Sequence, residues 1–245
     1  MFDLTGRVGL VTGAGQGVGR GIAMAFAGQG AAVAVNDLDP DRAAAVAAEI
    51  TVAGGRAIAV TADVRELDAW RAMADAIEGQ LGPVDVLVNN AGIPADGFEL
   101  RKFLDWPPQD WDRFIRLNLY GVLNGVYALA PGMCERGFGR IITISSDAGR
   151  IGVGFGVSVY GAAKAGAVGI SRHLAVELGP SGVTVNTLSL GTIERPGGTL
   201  STRAIPRGRH GRPEDVAAAA VWLASDEADW VTGQMIPVNG GVATN

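Results

Sequence analysis

The chain has 245 residues, 48% of them hydrophobic and 18% charged, with 20 Lys and Arg against 25 Asp and Glu and a formal net charge of −5. That balance suits a folded globular protein with a substantial core, and it argues against a polyanion-binding surface, so no nucleic-acid partner is expected. The single cysteine, Cys134, excludes an internal disulfide framework or a cysteine-based metal site, and no apolar run reaches the roughly eighteen residues needed to span a bilayer. The opening MFDLTGRV lacks the basic-then-apolar pattern of a signal peptide, so a cytoplasmic protein with no membrane partner is the expectation.

Val8 to Val11 reads as a short strand that ends in the glycine-rich TGAGQGVG, with Gly13, Gly15, Gly17 and Gly19, and Ile22, Ala23, Phe26 and Ala27 then follow at helical spacing. A strand, a glycine turn and a helix in that order form a phosphate-binding context. The glycines let the backbone approach a pyrophosphate, and the helix start offers free N–H groups. A second strand, Ala31 to Val35, ends at Asn36-Asp37, about twenty residues on, where a carboxylate accepts hydrogen bonds from ribose hydroxyls and repels a 2′-phosphate. Neither Gln16 in the loop nor Leu38 beside Asp37 supplies a cation, so NAD is the expected cofactor rather than NADP.

The rhythm repeats. Asp41 to Val52 reads as a helix, Arg56 to Val60 as a strand ending at Asp63-Val64, Glu66 to Leu81 as a helix, and Val84 to Val88 as a buried strand running into Asn89-Asn90-Ala91-Gly92. Alternation of this kind predicts an α/β fold, a doubly wound parallel sheet with helices on both faces, whose ligands collect at the carboxyl ends of the strands. Residues 94–108, with Phe98, Leu100, Phe103, Leu104 and Trp106, have no period and are expected to cover the site or to pack on a neighbour. A long helix is predicted from Asp110 to Met133, with Asn118 inside it as a satisfied structural amide. A fifth strand, Arg140 to Ile144, leads to Ser145-Ser146-Asp147. Val183 to Leu188 is a sixth, Pro213 to Ser225 a helix and Gln234 to Val238 a last strand.

Between the fifth and sixth strands lies Tyr160-Gly161-Ala162-Ala163-Lys164. Residues four apart share a helix face, so the phenol and ammonium enter one site, where the cation favours the ionised phenol. Only Lys102 and Lys164 are lysines, so this is not solubilising filler. A tyrosine so placed moves a proton to or from a substrate oxygen. His173 and His210 have no second ligand at metal spacing and are read as a helix-surface and a loop residue.

TGAGQGVG, NNAG, Ser146 and YGAAK, in this order, resemble the classical short-chain dehydrogenase/reductase family over nearly the whole chain. The resemblance implies one Rossmann-type domain over residues 1–245 with about seven strands, a homotetramer, and substrate loops around 93–108, 149–158 and 191–209. It implies Tyr160 as the acid/base, Lys164 holding the nicotinamide ribose, Ser146 bonding the substrate oxygen and Asn118 holding a relay water. It further implies a cofactor site of Gly13, Gln16, Gly17, Val18 and Gly19, of Asp37 and Leu38, of Asp63 and Val64, of Asn90, Ala91 and Gly92, and of Gly191, Thr192 and Ile193. The chain departs from the pattern in one extra residue between Ser146 and Tyr160, in Leu190 and Arg195 beside Gly191, in Asn239 where Asp is usual, and in a short connection after Gly191.

The activity implied is NAD(H)-dependent interconversion of a secondary alcohol and a ketone, with a small-molecule alcohol or carbonyl substrate. A 3-oxoacyl thioester reductase or hydroxyacyl dehydrogenase, and a weakly catalytic NAD-binding sensor, are the alternatives. A sugar-nucleotide epimerase shares YxxxK but needs a larger substrate domain.

Overall fold

A computed structural model describes residues 1–94, 97, 99–154, 156–194 and 201–244. Seven strands form one parallel sheet: β1 (Val8–Val11), β2 (Ala32–Asp37), β3 (Arg56–Thr61), β4 (Val86–Asn89), β5 (Gly139–Ser146), β6 (Val183–Leu190) and β7 (Met235–Val238). Their spatial order is β3-β2-β1-β4-β5-β6-β7. The order reverses between β1 and β4, the point at which such sheets open a crevice at the carboxyl ends of the strands.

The helices are α1 (Gly17–Gly28), α2 (Pro40–Val52), α3 (Leu67–Leu81), α4 (Trp111–Ile115), α5 (Gly121–Arg136), α6 (Ser158–Leu178) and α7 (Pro213–Ala224). They cover both faces because the strands bury both. Val11, Val33, Val35, Val86 and Val88 pack with Ile22 and Phe26 of α1, Val46 and Ile50 of α2, and Val216 of α7. The alternate residues Leu10, Ala34 and Leu87 face the other way, onto Trp70 and Ile77 of α3, Val126 and Met133 of α5, and Ala167 of α6. Successive side chains on a strand point to opposite faces, so unbroken apolar runs such as Val86–Val88 report double-sided burial. Truncating Leu87, fully buried between the layers, would cost about 2–5 kcal/mol.

The predicted helix from Asp110 to Met133 is interrupted. Between α4 and α5 the chain makes one π-helical turn, Arg116–Tyr120, with Asn118 buried inside it. Such wide turns inside helices cluster at functional sites. The strands also reach further at their carboxyl ends than the apolar runs do: β2 includes Asp37, β5 includes Ser145 and Ser146, and β6 includes Leu190. Polar residues there keep the strand conformation because the ladder continues, with Ser145 opposite Ser189 and Ser146 opposite Leu190. Residues 102–110 hold two short 3₁₀ turns, while Phe98 and Arg195 lie outside the described residues. No described helix is long and apolar enough to cross a membrane.

Candidate active site

The loop after β1 is shaped by close approach. Gly13 and Gly17 have φ of +60° and +54°, a region that favours glycine. A side chain at Gly19 would run into the Gly13 carbonyl and the Asn90 amide. Gln16 caps the twelve-residue α1 without using its side chain, and no acidic residue stands in the first turn. The helix start therefore faces the crevice with free N–H groups and a positive dipole end, as a pyrophosphate requires. Val18, the second residue of α1, packs on the core and anchors the helix. Across the switch point Asn90 donates to the carbonyls of Thr12 and Gly13 at 2.8 and 3.0 Å, and the Thr12 hydroxyl accepts from the N–H groups of Asn90 and Ala91 at 3.0 and 3.1 Å. Asn90 thus pins the end of β4 to the phosphate loop. Thr12, the hub of this pinning, carries no local signal in the chain because its bonds run to residues 76 to 79 positions away.

Asp37 is buried at the end of β2, and its carboxylate is already engaged. It accepts from the Gly15 N–H at 3.0 Å, the Asp39 N–H at 3.0 Å and the Arg42 guanidinium at 3.2 Å. The expectation that no cation stands near Asp37 is therefore corrected. Gln16 and the half-exposed Leu38 supply none, but Arg42 comes back from the first turn of α2. Two residues matter to this geometry: Pro40 starts α2 at once, and Asp39 caps it by accepting from the N–H groups of Asp41 and Arg42. Arg20 is tied to Glu49 instead. At the turn after β3, Arg65 holds Asp63 at 2.6 Å, and its hydrogen bonds keep that carboxyl below the usual range. The Val64 carbonyl accepts from the Trp70 indole at 2.9 Å and from Asn124 at 3.3 Å, which fixes the β3–α3 turn.

Asn118, Ser146, Tyr160 and Lys164 lie on the other side of the switch point. Lys164 is buried, with 4% of its surface exposed, and its ammonium donates to the Ile144 carbonyl at 2.7 Å. Burial holds its pKa down to about 8. The same ammonium lies 5.7 Å from the centroid of the Tyr160 ring, one helical turn away. Phe114 meets Tyr160 edge to face at 6.4 Å, and Trp106 meets Phe114 at 5.4 Å, so an aromatic wall backs the phenol. Gly92 is glycine for a steric reason: a Cβ there would stand 2.7 Å from Asn118 Oδ1 and 2.8 Å from Lys164 Nζ. Asn118 donates through Nδ2 to the Phe114 carbonyl at 3.1 Å, while its buried Oδ1 has no partner among the described residues. An orphaned acceptor beside a buried ammonium is unlike the satisfied structural amide read from residues alone.

The two serines of β5 are distinguished by the pleat. Ser145 is buried and its hydroxyl donates to the Lys164 main-chain carbonyl at 3.3 Å. Ser146 is half-buried at the strand end and accepts only from the Ala148 N–H, at 3.2 Å. The turn that follows lies on the start of α6: a Cβ at Gly161 would meet the Ala148 carbonyl at 2.5 Å, and one at Gly149 would meet Lys164 at 2.9 Å. Asp147 turns away from the site. Its carboxylate accepts from Ser189 at 3.1 Å and from Asn239 at 3.0 Å. An acid at 239 would face that buried carboxylate, so the amide at 239 and the acid at 147 are two halves of one arrangement.

Beyond the end of β6, Gly191 donates to the Val238 carbonyl at 3.2 Å, and a Cβ on it would strike Asn239 at 2.8 Å. Thr192 and Ile193 are held against Gly211, so this strip continues the crevice edge beyond β6. Leu190 is a core residue. Arg209 is committed to Asp215 at 2.6 Å, which raises the arginine and holds the aspartate at about 2.

A sheet with a glycine-turn phosphate site on one side of its switch point, and a Tyr-Lys pair with a serine and an amide on the other, defines an oxidoreductase that uses a nicotinamide dinucleotide. A family model described as enoyl-(acyl carrier protein) reductase matches residues 13–243. The chain is 41% identical to a 3-oxoacyl-[acyl-carrier-protein] reductase of Synechocystis, over 99% of each chain. Its fold superposes on a short-chain type dehydrogenase/reductase from Mycobacterium marinum with a TM-score of 0.93 at 38% identity, covering 100% of this chain and 98% of that one. It superposes on a 7α-hydroxysteroid dehydrogenase complexed with NADH and 7-oxoglycochenodeoxycholic acid with a TM-score of 0.90 at 35% identity, covering 98% and 95%. The protein belongs to the short-chain dehydrogenase/reductase family.

Proposed function

We propose that this protein interconverts a secondary alcohol and a ketone with NAD(H). The observation that carries the reading is the buried Lys164 ammonium, one turn from Tyr160 and beside the Asn118 oxygen, with neither a carboxylate paired to the ammonium nor a hydrogen-bond partner for that oxygen among the described residues. A cation kept in a low-dielectric site at such expense stabilises an anion formed there, and the neighbouring group able to become one is the phenol. The bound dinucleotide supplies hydride transfer. Tyr160 gives its proton to the substrate oxygen in reduction and takes it back in oxidation. Ser146, whose hydroxyl hydrogen is not committed to the protein in any bond described above, donates to the same oxygen and orients it. Asn118 Oδ1 accepts from a water that resupplies Tyr160 through Lys164. Gly13, Gly17, Gly19 and the start of α1 hold the pyrophosphate, Asp37 the adenosine ribose, and Gly191 to Ile193 the nicotinamide edge.

The carboxylates of Asp37 and Asp39 outnumber the one guanidinium beside them, so NAD is preferred over NADP, by at least about tenfold in kcat/KM. We also propose a cytoplasmic homotetramer. The exposed Tyr127 and Val176 on α5 and α6 support a subunit contact, and light scattering tests it.

A 3-oxoacyl thioester reductase is the second reading, favoured by the Synechocystis relative and by the exposed Leu100, Phe103 and Leu104, which suit an acyl chain. One experiment separates the two: secondary alcohols, ketones and 3-oxoacyl thioesters are screened with both cofactors by nicotinamide absorbance. Turnover of simple ketones above the thioesters supports the first reading. Turnover of the thioesters alone replaces it with the second, and no turnover of any class refutes both.

A further inference from the structure

The bonds around Asp37 leave an unequal set of acceptor sites. A carboxylate has roughly four lone-pair positions. Oδ1 takes the Asp39 N–H and the Arg42 guanidinium, and Oδ2 takes the Gly15 N–H. One position on Oδ2 remains, whereas a vicinal ribose diol gripped through both hydroxyls needs two. The second must be vacated by one of the three donors. Gly15 is locked, since a Cβ there would stand 2.7 Å from Asp37 Oδ2 and 2.6 Å from the Arg42 Cβ. The Asp39 N–H is a backbone group on the residue whose side chain caps α2, which fixes it in place. Arg42 is the one side-chain donor of the three, 40% exposed on a long stem, and so the one that can swing off without moving the backbone. Once displaced it does not leave, because its Nε lies 3.3 Å from Asp39 Oδ2.

We propose that Arg42 is a specificity-determining residue for the cofactor, a hinged counter-ion that an unmodified ribose must push off Asp37 and that a 2′-phosphate recruits. To NAD it is a competitor for the carboxylate. To NADP it offers the planar fork that pairs with phosphate oxygens, and it cancels part of the repulsion from Asp37. Its effect is to narrow the preference for NAD that Asp37 and Asp39 create. The inference rests on the reading of Asp37 as the ribose-binding acid.

The test is direct binding of NAD and NADP by titration calorimetry, at low and high salt, to the unmodified protein, Arg42→Met and Arg42→Lys. Arg42→Met is expected to raise the ratio of the NADP Kd to the NAD Kd by about fivefold or more, and to flatten the salt dependence of NADP binding. Arg42→Lys, which keeps the charge and loses the fork, is expected to fall between the two and carries the test should Arg42→Met melt early. A ratio unchanged in both variants, or one that moves towards NADP, overturns the inference while leaving the dinucleotide site standing. Failure of either cofactor to bind the unmodified protein overturns the reading of the site and the inference with it.

Discussion

Replacing Lys164 by methionine should make the protein more stable and less useful, and the size of the gain follows from burial. Desolvation lowers the pKa of Lys164 from 10.5 to about 8 in the folded chain. At 1.36 kcal/mol per unit this is a penalty of about 3 kcal/mol. The group is depressed on folding, so between pH 8 and 10.5 the unfolded chain binds more protons than the folded one, and stability rises with pH across that window. Below pH 8 the whole penalty applies, and above 10.5 none does. Methionine fills a similar volume without charge, but it leaves the Ile144 carbonyl without its 2.7 Å donor, a loss of about 1 kcal/mol. The net expectation is that Lys164→Met is about 2 kcal/mol more stable at pH 7, with the advantage shrinking to near zero by about pH 9.5. Urea denaturation of the cofactor-free protein at fixed concentration, followed by tryptophan fluorescence, measures it at both pH values. A variant no more stable at pH 7, or an advantage of equal size at both, would refute the claim that the ammonium is held against its solvation.

Tyr160→Phe should lower kcat by about a hundredfold or more while the NAD Kd moves by less than about threefold, since only the proton donor is removed; stopped assays and calorimetry read the two separately. Ser146→Ala should raise the barrier by about 1–3 kcal/mol at little expense to stability, whereas Ser145→Ala should lower the melting temperature and spare kcat, because Ser145 bonds the Lys164 carbonyl. The reverse pattern would show that the extra residue before Tyr160 has moved the working serine. Gly92→Ala should push the Lys164 ammonium and the Asn118 oxygen off the point they share and reduce kcat by about tenfold or more; turnover within twofold would mean the pair is not held as drawn.

The parts of this protein legible in the chain are those decided by neighbours in sequence. The alternation of strands and helices, the double-sided burial of Val86–Val88, the glycine turn before α1 and the spacing that puts Tyr160 and Lys164 on one face all follow from backbone conformation and periodicity over a few residues. So does the location of the site, because a parallel α/β sheet gathers its loops at the carboxyl ends of the strands. The tertiary structure decided what depends on how elements dock. Arg42 lies five residues from Asp37 yet reaches it only because α2 begins at Pro40 and turns back over the glycine loop. Asn118 became more than a core amide because a π turn and the bare Gly92 leave its oxygen unpartnered beside Lys164. Ser145 and Ser146 are one chemical type side by side, and the pleat of β5 against α6 alone sends the first into the packing on Lys164 and leaves the second half-buried at the strand end. Asp147 and Asn239 match across 92 residues. Periodicity reports which face of an element is buried. Which atom meets that face is set by packing between elements far apart in sequence, where a few tenths of an ångström separate a hydrogen bond from a clash.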